Sequence, residues 1–214
     1  MYASPIIRMT AGVINQINDA VVGMPAAPFG VGNSKFAGQL GTGAWLDDAN
    51  ILFNSAIGTV YGGHFRYVRL AAAATAVVVG QIVFWDTLVN VPPPGGYQVT
   101  TSEAGSADGA VLSAGIVLNP NWTPGNYSVI QDVGLCFVKF RTTLTQAGAA
   151  GSRAFAAAAG AGADNGTADV IDAATASTFA TTSQQMGRFL GISADTPTNG
   201  GLKRVYINMH NVRG

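Results

Sequence analysis

The chain has 214 residues, of which 48% are hydrophobic and only 10% are charged, and its formal net charge at pH 7 is zero. A balanced charge without a basic block gives little support for binding nucleic acid through its phosphates. Glu103 is the only glutamate and only three residues are lysine, so the side chains that usually cover exposed helix faces are scarce. The composition therefore predicts a β protein whose weakly charged surface is largely covered by other protein.

The compartment is predicted from three simple features. The single cysteine, Cys136, excludes an internal disulfide framework and fits folding in a reducing cytoplasm. The first residues lack the charged and apolar regions of a signal peptide. The longest apolar run, residues 70–79, is about half the length that a membrane-spanning helix needs. We therefore expect a non-membrane protein that is made in the cytoplasm.

Residues 1–45 differ from the rest of the chain. They contain seven glycines and three prolines, which interrupt every regular pattern and allow at most a short helix. Such a segment is typical of an extended arm that lies along another surface, and the alternative is a loop packed on its own domain. The candidate contact residues of the arm, toward a sister subunit or another surface, are Ile6, Ile7, Ile14, Ile17 and Phe29.

Residues 46–214 are predicted to form the β domain. A strand is expected at residues 64–70, and residues 77–140 hold short runs rich in β-branched and aromatic residues. Clusters of Gly, Pro, Asn and Asp separate these runs. This pattern predicts an all-β fold, a compact β-barrel or β-sandwich. The Ala- and Gly-rich residues 147–162 are interpreted as a strand entering a loop, because four glycines disfavour a helix.

The β domain contains a possible internal repeat of residues 77–140 in residues 148–210. Duplication would give two β-modules within one fold, and the alternative is chance similarity between Gly- and Ala-rich segments. The expected correspondences are residues 80–84 with 151–155, 97–100 with 168–171, 115–119 with 191–195, and 137–140 with 204–207.

The sequence predicts no catalytic, metal-binding or cofactor-binding residue. His64 and His210 have no other ligand type at metal-site spacing, and Cys136 lies in a β run where a packed thiol is the usual outcome. The adjacent pair Asp47 and Asp48 fits a turn or a helix cap better than acid–base chemistry. We therefore expect neither an enzyme nor a small-molecule substrate.

The three tryptophans allow two interpretations. Trp45, Trp85 and Trp122 would line a sugar-binding groove if they shared one exposed face. Packing in a core or at an interface is the alternative, and the low aromatic content of 9% favours it.

Three segments together resemble the capsid decoration (head cement) proteins of tailed bacteriophages. The segments are residues 79–85 (VGQIVFW), 114–117 (AGIV) and 133–138 (VGLCFV), and the resemblance covers roughly residues 75–210. It implies a β-rich, commonly trimeric protein on the outside of the head, where capsomers meet. The major capsid protein would be its partner. Because the motifs are compositional, the resemblance transfers no functional residue.

Two functions from different classes follow. The first is a structural virion protein that stabilises a capsid by binding across subunit boundaries. The second is a carbohydrate- or receptor-binding β module of a phage head or tail appendage, for which the three tryptophans should share one face.

Overall fold

Ten strands and no helix are found in the part of the chain that the computed structural model describes, which comprises residues 43–46, 61–72, 74–75, 77–86, 98–101, 113–118, 122–125, 127–157, 164–170 and 189–209. The strands are β1 (Gly43–Leu46), β2 (Gly63–Leu70), β3 (Ile82–Trp85), β4 (Gln98–Thr100), β5 (Ser113–Val117), β6 (Tyr127–Lys139), β7 (Arg153–Ala156), β8 (Ala168–Val170), β9 (Phe189–Ser193) and β10 (Leu202–Asn208). The predicted all-β fold is confirmed.

The strands form one mixed sheet in the order β1-β2-β4-β3-β5-β6-β10-β9-β7-β8, and β2 also pairs with β6. The pair of β2 and β4 is parallel, whereas the other pairs of strands are antiparallel. Closure of these strands into a barrel stays a prediction, as does the sandwich alternative.

The thirteen-residue strand β6 belongs to two groups of strands. Its residues 127–134 pair with β2, and its residues 133–139 pair with β10. We call the first group unit 1, comprising β2, β3, β4, β5 and residues 127–133 of β6. Unit 2 comprises residues 134–139 of β6 together with β7, β8, β9 and β10.

The two units have the same pairing pattern. Neighbouring strands follow the order β4, β3, β5, β6 in unit 1 and β8, β7, β9, β10 in unit 2, all antiparallel. The register shifts between the second and third residues of both β3 and β7. In unit 1 the first strand, β2, pairs with the last strand, β6, and lies parallel to the third strand, β4. In unit 2 the first strand, residues 134–139 of β6, pairs with the last strand, β10. Phe140, which follows this strand, forms a parallel bridge to Ala168 of the third strand, β8.

The pairings alter two of the expected sequence correspondences. Thr100 pairs with Phe84 as Asp169 pairs with Phe155, so β4 and β8 correspond with a two-residue shift from the predicted alignment. Residues 137–139 pair with β10, so these two runs are neighbours in the sheet and do not correspond to each other. The counterpart of β10 is the first half of β6. The repeated pattern also includes β2, which precedes residues 77–140. Origin by duplication stays a prediction.

A tight turn precedes the second strand of each unit. Gln81 N donates to Val78 O at 3.1 Å, and Ser152 N donates to Ala149 O at 3.0 Å. The side-chain oxygens of Gln81 and Ser152 accept hydrogen bonds back from Val78 N and Ala149 N. The third residue of both turns is a glycine with a φ of 79° or 89°. This left-handed conformation explains the glycine at both positions.

Among the described residues, two hydrophobic clusters of the core meet at β3. Val83 belongs to the cluster of unit 1, whereas Ile82 and Phe84, on the opposite face of the strand, belong to the cluster that fills unit 2. Strand β3 is therefore buried on both sides, as its unbroken apolar sequence requires. Burying each large aliphatic side chain contributes roughly 1.5–3 kcal/mol.

Candidate interaction surface

The outer face of unit 1 is covered by unit 2. A row of four cross-strand neighbours runs across this face, and each of them is fully buried. Ile82 and Ile116 of this row belong to the same hydrophobic cluster as Cys136 and Val138 of unit 2. Phe140, which follows β6, also belongs to that cluster. We call these four residues the covered row: Phe65, Gln131, Ile116 and Ile82.

Backbone hydrogen bonds reinforce this contact at the start of β3. Lys139 N donates to Gly80 O at 2.8 Å, and Ile82 N donates to Gly166 O at 2.7 Å. A β-carbon added at Gly80 would overlap Cδ1 of Leu202, so the backbone lies directly against unit 2. The interface thus combines apolar burial with strand-like hydrogen bonding.

The equivalent row of unit 2 faces outward. Its strands have the same pairing, but Tyr206 is 58% exposed, Ile192 is 39% exposed, Arg153 is exposed and Leu135 is half-buried. A β-carbon added at Gly151, the counterpart of Gly80, would meet nothing within 4 Å. We call these residues the open row: Leu135, Tyr206, Ile192 and Arg153.

The edge strand β1 carries the other prominent exposed side chain. Trp45 is 67% exposed, the most of any large apolar residue that the structure describes, and its ring lies 5.3 Å from that of His64. His64 Nδ1 donates to the buried carboxylate of Asp132, which also accepts from Arg66 Nε at 3.1 Å. A buried carboxylate is stable only when it is paired in this way. The cluster fixes the strand against which β1 pairs.

The three tryptophans do not share an exposed face. Trp122 is 1% exposed and belongs to the core cluster of unit 1, and Trp85 is half-buried with the guanidinium carbon of Arg66 lying 5.9 Å from its ring centroid. Only Trp45 is exposed. Packing in the core therefore describes Trp122, whereas a role for Trp45 at an interface stays a prediction.

Ion pairs support the ends of unit 2. The Arg204 guanidinium donates to both carboxylate oxygens of Asp195, at 2.6 Å for the shortest contact, and holds the pKa of Asp195 down to about 2. Arg141 pairs with the buried carboxylate of Asp169, and this hydrogen bond raises the pKa of Arg141. Thr145 donates its backbone N–H and its hydroxyl to the same carboxylate. These contacts satisfy local backbone and carboxyl groups, which is a structural role.

The remaining candidate residues from the sequence either have structural roles or lie outside the described residues. Cys136 is a buried free thiol within β6, as expected for a packed cysteine, and burial raises its pKa far above the ordinary range. His64 has a structural role beneath Trp45. The arm residues Ile6, Ile7, Ile14, Ile17 and Phe29, the pair Asp47 and Asp48, and His210 lie outside the described residues.

Across the described ranges, no group of three or more His, Cys, Asp or Glu side chains is arranged to hold a metal ion. The same ranges contain no helix with the length and apolar character of a membrane span. No protein-family model matches the sequence, and no curated protein matches it either.

The open row was missed by the sequence analysis. In β10, Tyr206 lies between the buried residues Val205 and Ile207, so strand alternation would have placed it on the outer face. Ile192 gives no such signal, because an isolated isoleucine in a strand ordinarily indicates a core.

Proposed function

We propose that the protein is a structural virion protein that binds the outside of a phage capsid and stabilises it across capsomer boundaries. The observation that supports this most is the position of β1. The first three residues of this edge strand, Gly43 to Trp45, are the last residues of the Gly- and Pro-rich arm, and the strand presents Trp45, exposed, at the margin of the sheet. Aromatic residues are enriched where protein surfaces dock. The arm thus joins the sheet beside a surface suited to binding protein.

The partners in this proposal are the major capsid protein and further copies of the chain, assembled as a homotrimer. A chain with only 10% charged residues, in which Ile192 and Tyr206 face outward, favours coverage of its surface by protein. The protein would be made in the host cytoplasm and reside on the capsid exterior. Its binding would need no nucleic acid, membrane, cofactor or small-molecule substrate.

The arm provides the proposed mechanism of cementing. Ordering its backbone costs about 1–2 kcal/mol per residue, which a Gly- and Pro-rich segment offsets only by contacting a neighbour. Ile6, Ile7, Ile14, Ile17 and Phe29 are the apolar residues proposed to make that contact, with a sister subunit or with the capsid. Binding would then stabilise both the arm and the boundary that it crosses.

The test measures binding to empty, undecorated heads of the phage that encodes the chain. Deleting residues 1–30 should leave the β domain folded by circular dichroism and weaken head binding, as measured by co-sedimentation. A second variant, with Ile14→Ser and Ile17→Ser, keeps the length of the arm and should also bind heads more weakly. If the truncated chain binds as tightly as the full chain, the arm mechanism is wrong. If the full chain does not bind, the capsid function is wrong.

A further inference from the structure

We propose that a groove on unit 2 binds an aromatic residue of a partner protein. The groove has a volume of about 560 Å³ and lies between the loop that follows β6 and the loop that precedes β10. It is lined by residues 144, 146–148 and 197–199. The proposal rests on the proposed function only for the identity of the partner, and it states the chemistry of one contact with that partner.

The loop that precedes the last strand is built alike in the two units. Its sequence is WTPGNY from Trp122 in unit 1 and PTNGGL from Pro197 in unit 2, and in each case the sixth residue begins the last strand. The fourth residue is a glycine with a positive φ, 85° for Gly125 and 64° for Gly200. Trp122 and Pro197 therefore have equivalent places.

The loop that follows the first strand also corresponds. The backbone N–H groups of Thr75 and Thr145 each donate to a side-chain oxygen within or directly after the third strand of their unit. The residue before each threonine, Ala74 or Leu144, is half-buried and packs against a core cluster. The groove of unit 2 thus lies between the two loops that in unit 1 carry Ala74 and Trp122.

The two units differ in what lies between these loops. In unit 1 the indole of Trp122 is 1% exposed and belongs to one buried cluster with Leu70 and Val77. In unit 2 the buried Pro197 lies close against Gly148, where an added β-carbon would come within 2.9 Å of its Cγ. A proline ring is much smaller than an indole, and the groove is open beside it. Unit 1 therefore shows which kind of side chain such a pair of loops encloses.

The lining of the groove favours a neutral ligand with an apolar part. Leu144, Gly148 and Pro197 form its inner wall, and Gln146 and Asn199 supply side-chain amides. None of the residues that line it is charged. Asn199 Oδ1 accepts a hydrogen bond from Leu144 N at 3.0 Å, which leaves Nδ2 of this exposed amide able to donate. An aromatic ring would contact the inner wall while the amides bind the peptide groups beside it.

The size of the groove points to a residue within a protein chain. Pockets of roughly 300–1,000 Å³ accommodate ligands larger than a single side chain. An aromatic residue together with its flanking peptide groups matches that size, and aromatic residues are common anchors at protein interfaces. A saccharide is the competing ligand, to which the lining offers hydrogen bonds but no aromatic ring for stacking.

The test measures binding of N-acetyl-tryptophan amide, a neutral model of the expected residue, to the full chain. Saturation-transfer NMR detects weak ligands whatever the oligomeric state of the protein. We expect a dissociation constant of about 1 mM, roughly fivefold tighter than that of N-acetyl-leucine amide. N-acetylglucosamine, as the saccharide, should show no transfer. Absence of binding by the aromatic amide, or tighter binding of the sugar, overturns the proposal.

A matched pair of variants locates the site. Ala147→Asp places a charge in the groove at an exposed position, so the chain should fold and binding should weaken about tenfold or more, because the carboxylate resists desolvation. Ala150→Asp is the control, since Ala150 is exposed nearby but does not line the groove. It should bind like the wild type. Wild-type affinity in Ala147→Asp would contradict the proposed site.

A second variant tests the equivalence of the two units. Pro197→Trp introduces the residue of unit 1, whose indole should occupy the groove and abolish binding of the amide. Circular dichroism checks that the variant folds, and the Ala147→Asp pair decides the question if it does not. A folded Pro197→Trp chain that still binds like the wild type overturns the proposal.

Head binding separates this inference from the proposed function. If the wild type binds the aromatic amide but no form of the chain binds heads, the groove stands as a recognition site and the capsid function falls. If the wild type binds heads but not the amide, the proposal for the groove falls and the function stands.

Discussion

Units 1 and 2 have the same strand pairing but very different surroundings. Ile116 and Ile192 have equivalent places in their units, yet the first is fully buried and the second is 39% exposed. Gly80 and Gly151 have the same turn and a similar φ, yet an added β-carbon would meet another part of the chain only at Gly80. The difference shows that strand pairing is determined within each unit, whereas burial of its outer face depends on the neighbour.

The largest expected effect comes from truncating the equivalent isoleucines. Ile116→Ala should lower the free energy of unfolding by about 3–4 kcal/mol, because it leaves a cavity in the cluster where unit 1 packs against unit 2. Ile192→Ala removes an exposed side chain and should cost less than about 1 kcal/mol. Urea denaturation at a protein concentration low enough to keep the chain monomeric measures both.

Equal losses in the two variants would mean that the rows are not in different environments. In that case the comparison between the units would fail. Circular dichroism of both variants before denaturation serves as the check on their folding.

A smaller effect is expected from adding a methyl group at two glycines of unit 2. A β-carbon at Gly191 would overlap the carbonyl oxygen of Tyr206, so Gly191→Ala should cost roughly 3 kcal/mol through displaced backbone. Gly151→Ala has open space and should cost about 1 kcal/mol, from its left-handed conformation alone. Thermal and urea unfolding of the pair measure the difference.

The counterpart of Gly191 in unit 1 extends this test. A β-carbon at Gly115 would lie 2.9 Å from the carbonyl oxygen of Gln131, the residue equivalent to Tyr206. Gly115→Ala should therefore also be more costly than Gly151→Ala. A harmless Gly115→Ala would contradict the equivalence of β5 and β9.

The smallest expected effect is a pH dependence of unfolding that arises from one ion pair of unit 2. Because Arg204 lowers the pKa of Asp195 to about 2, against about 3.9 for an unperturbed Asp, the pair contributes stability above pH 4. That contribution is lost as the pH falls from about 4 to about 2. The unfolding midpoints of the wild type and Asp195→Asn should differ at pH 6 and converge near pH 2. A difference that persists at pH 2 would rule out this ion pair as its source.

The sequence predicted the strands well where local patterns decide them. Residues 82–85 and 64–70 are rich in β-branched and aromatic side chains between turn formers, and both are strands. The turns at Gly80 and Gly151 were not predicted, because residues 77–85 have the composition of one continuous β-rich run and residues 147–162 that of a strand entering a loop. Residues 153–156, at the centre of the Ala- and Gly-rich segment, form β7 as a strand interpretation of that segment requires.

Tertiary features were harder to predict, for physical reasons. The run of residues 137–140 resembles that of 204–207 because both are β-rich, and similar strands can be partners as readily as counterparts. Local sequence does not record which alternative holds. Burial of Asp132 was also invisible, because it depends on His64 and Arg66, more than sixty residues away in the chain. The exposure of the open row could not be predicted for the same reason, because the sequence of a strand does not show whether another part of the molecule covers its face.

Strand β6 has a mechanical consequence. Its first half ends unit 1 and its second half begins unit 2, with no linker between them. A force that pulls the units apart would therefore have to shear a continuous hydrogen-bonded ladder rather than straighten a loop. For the same reason neither unit can be excised intact, and both should unfold together in one transition. A tandem built this way transmits load along its backbone from one end to the other.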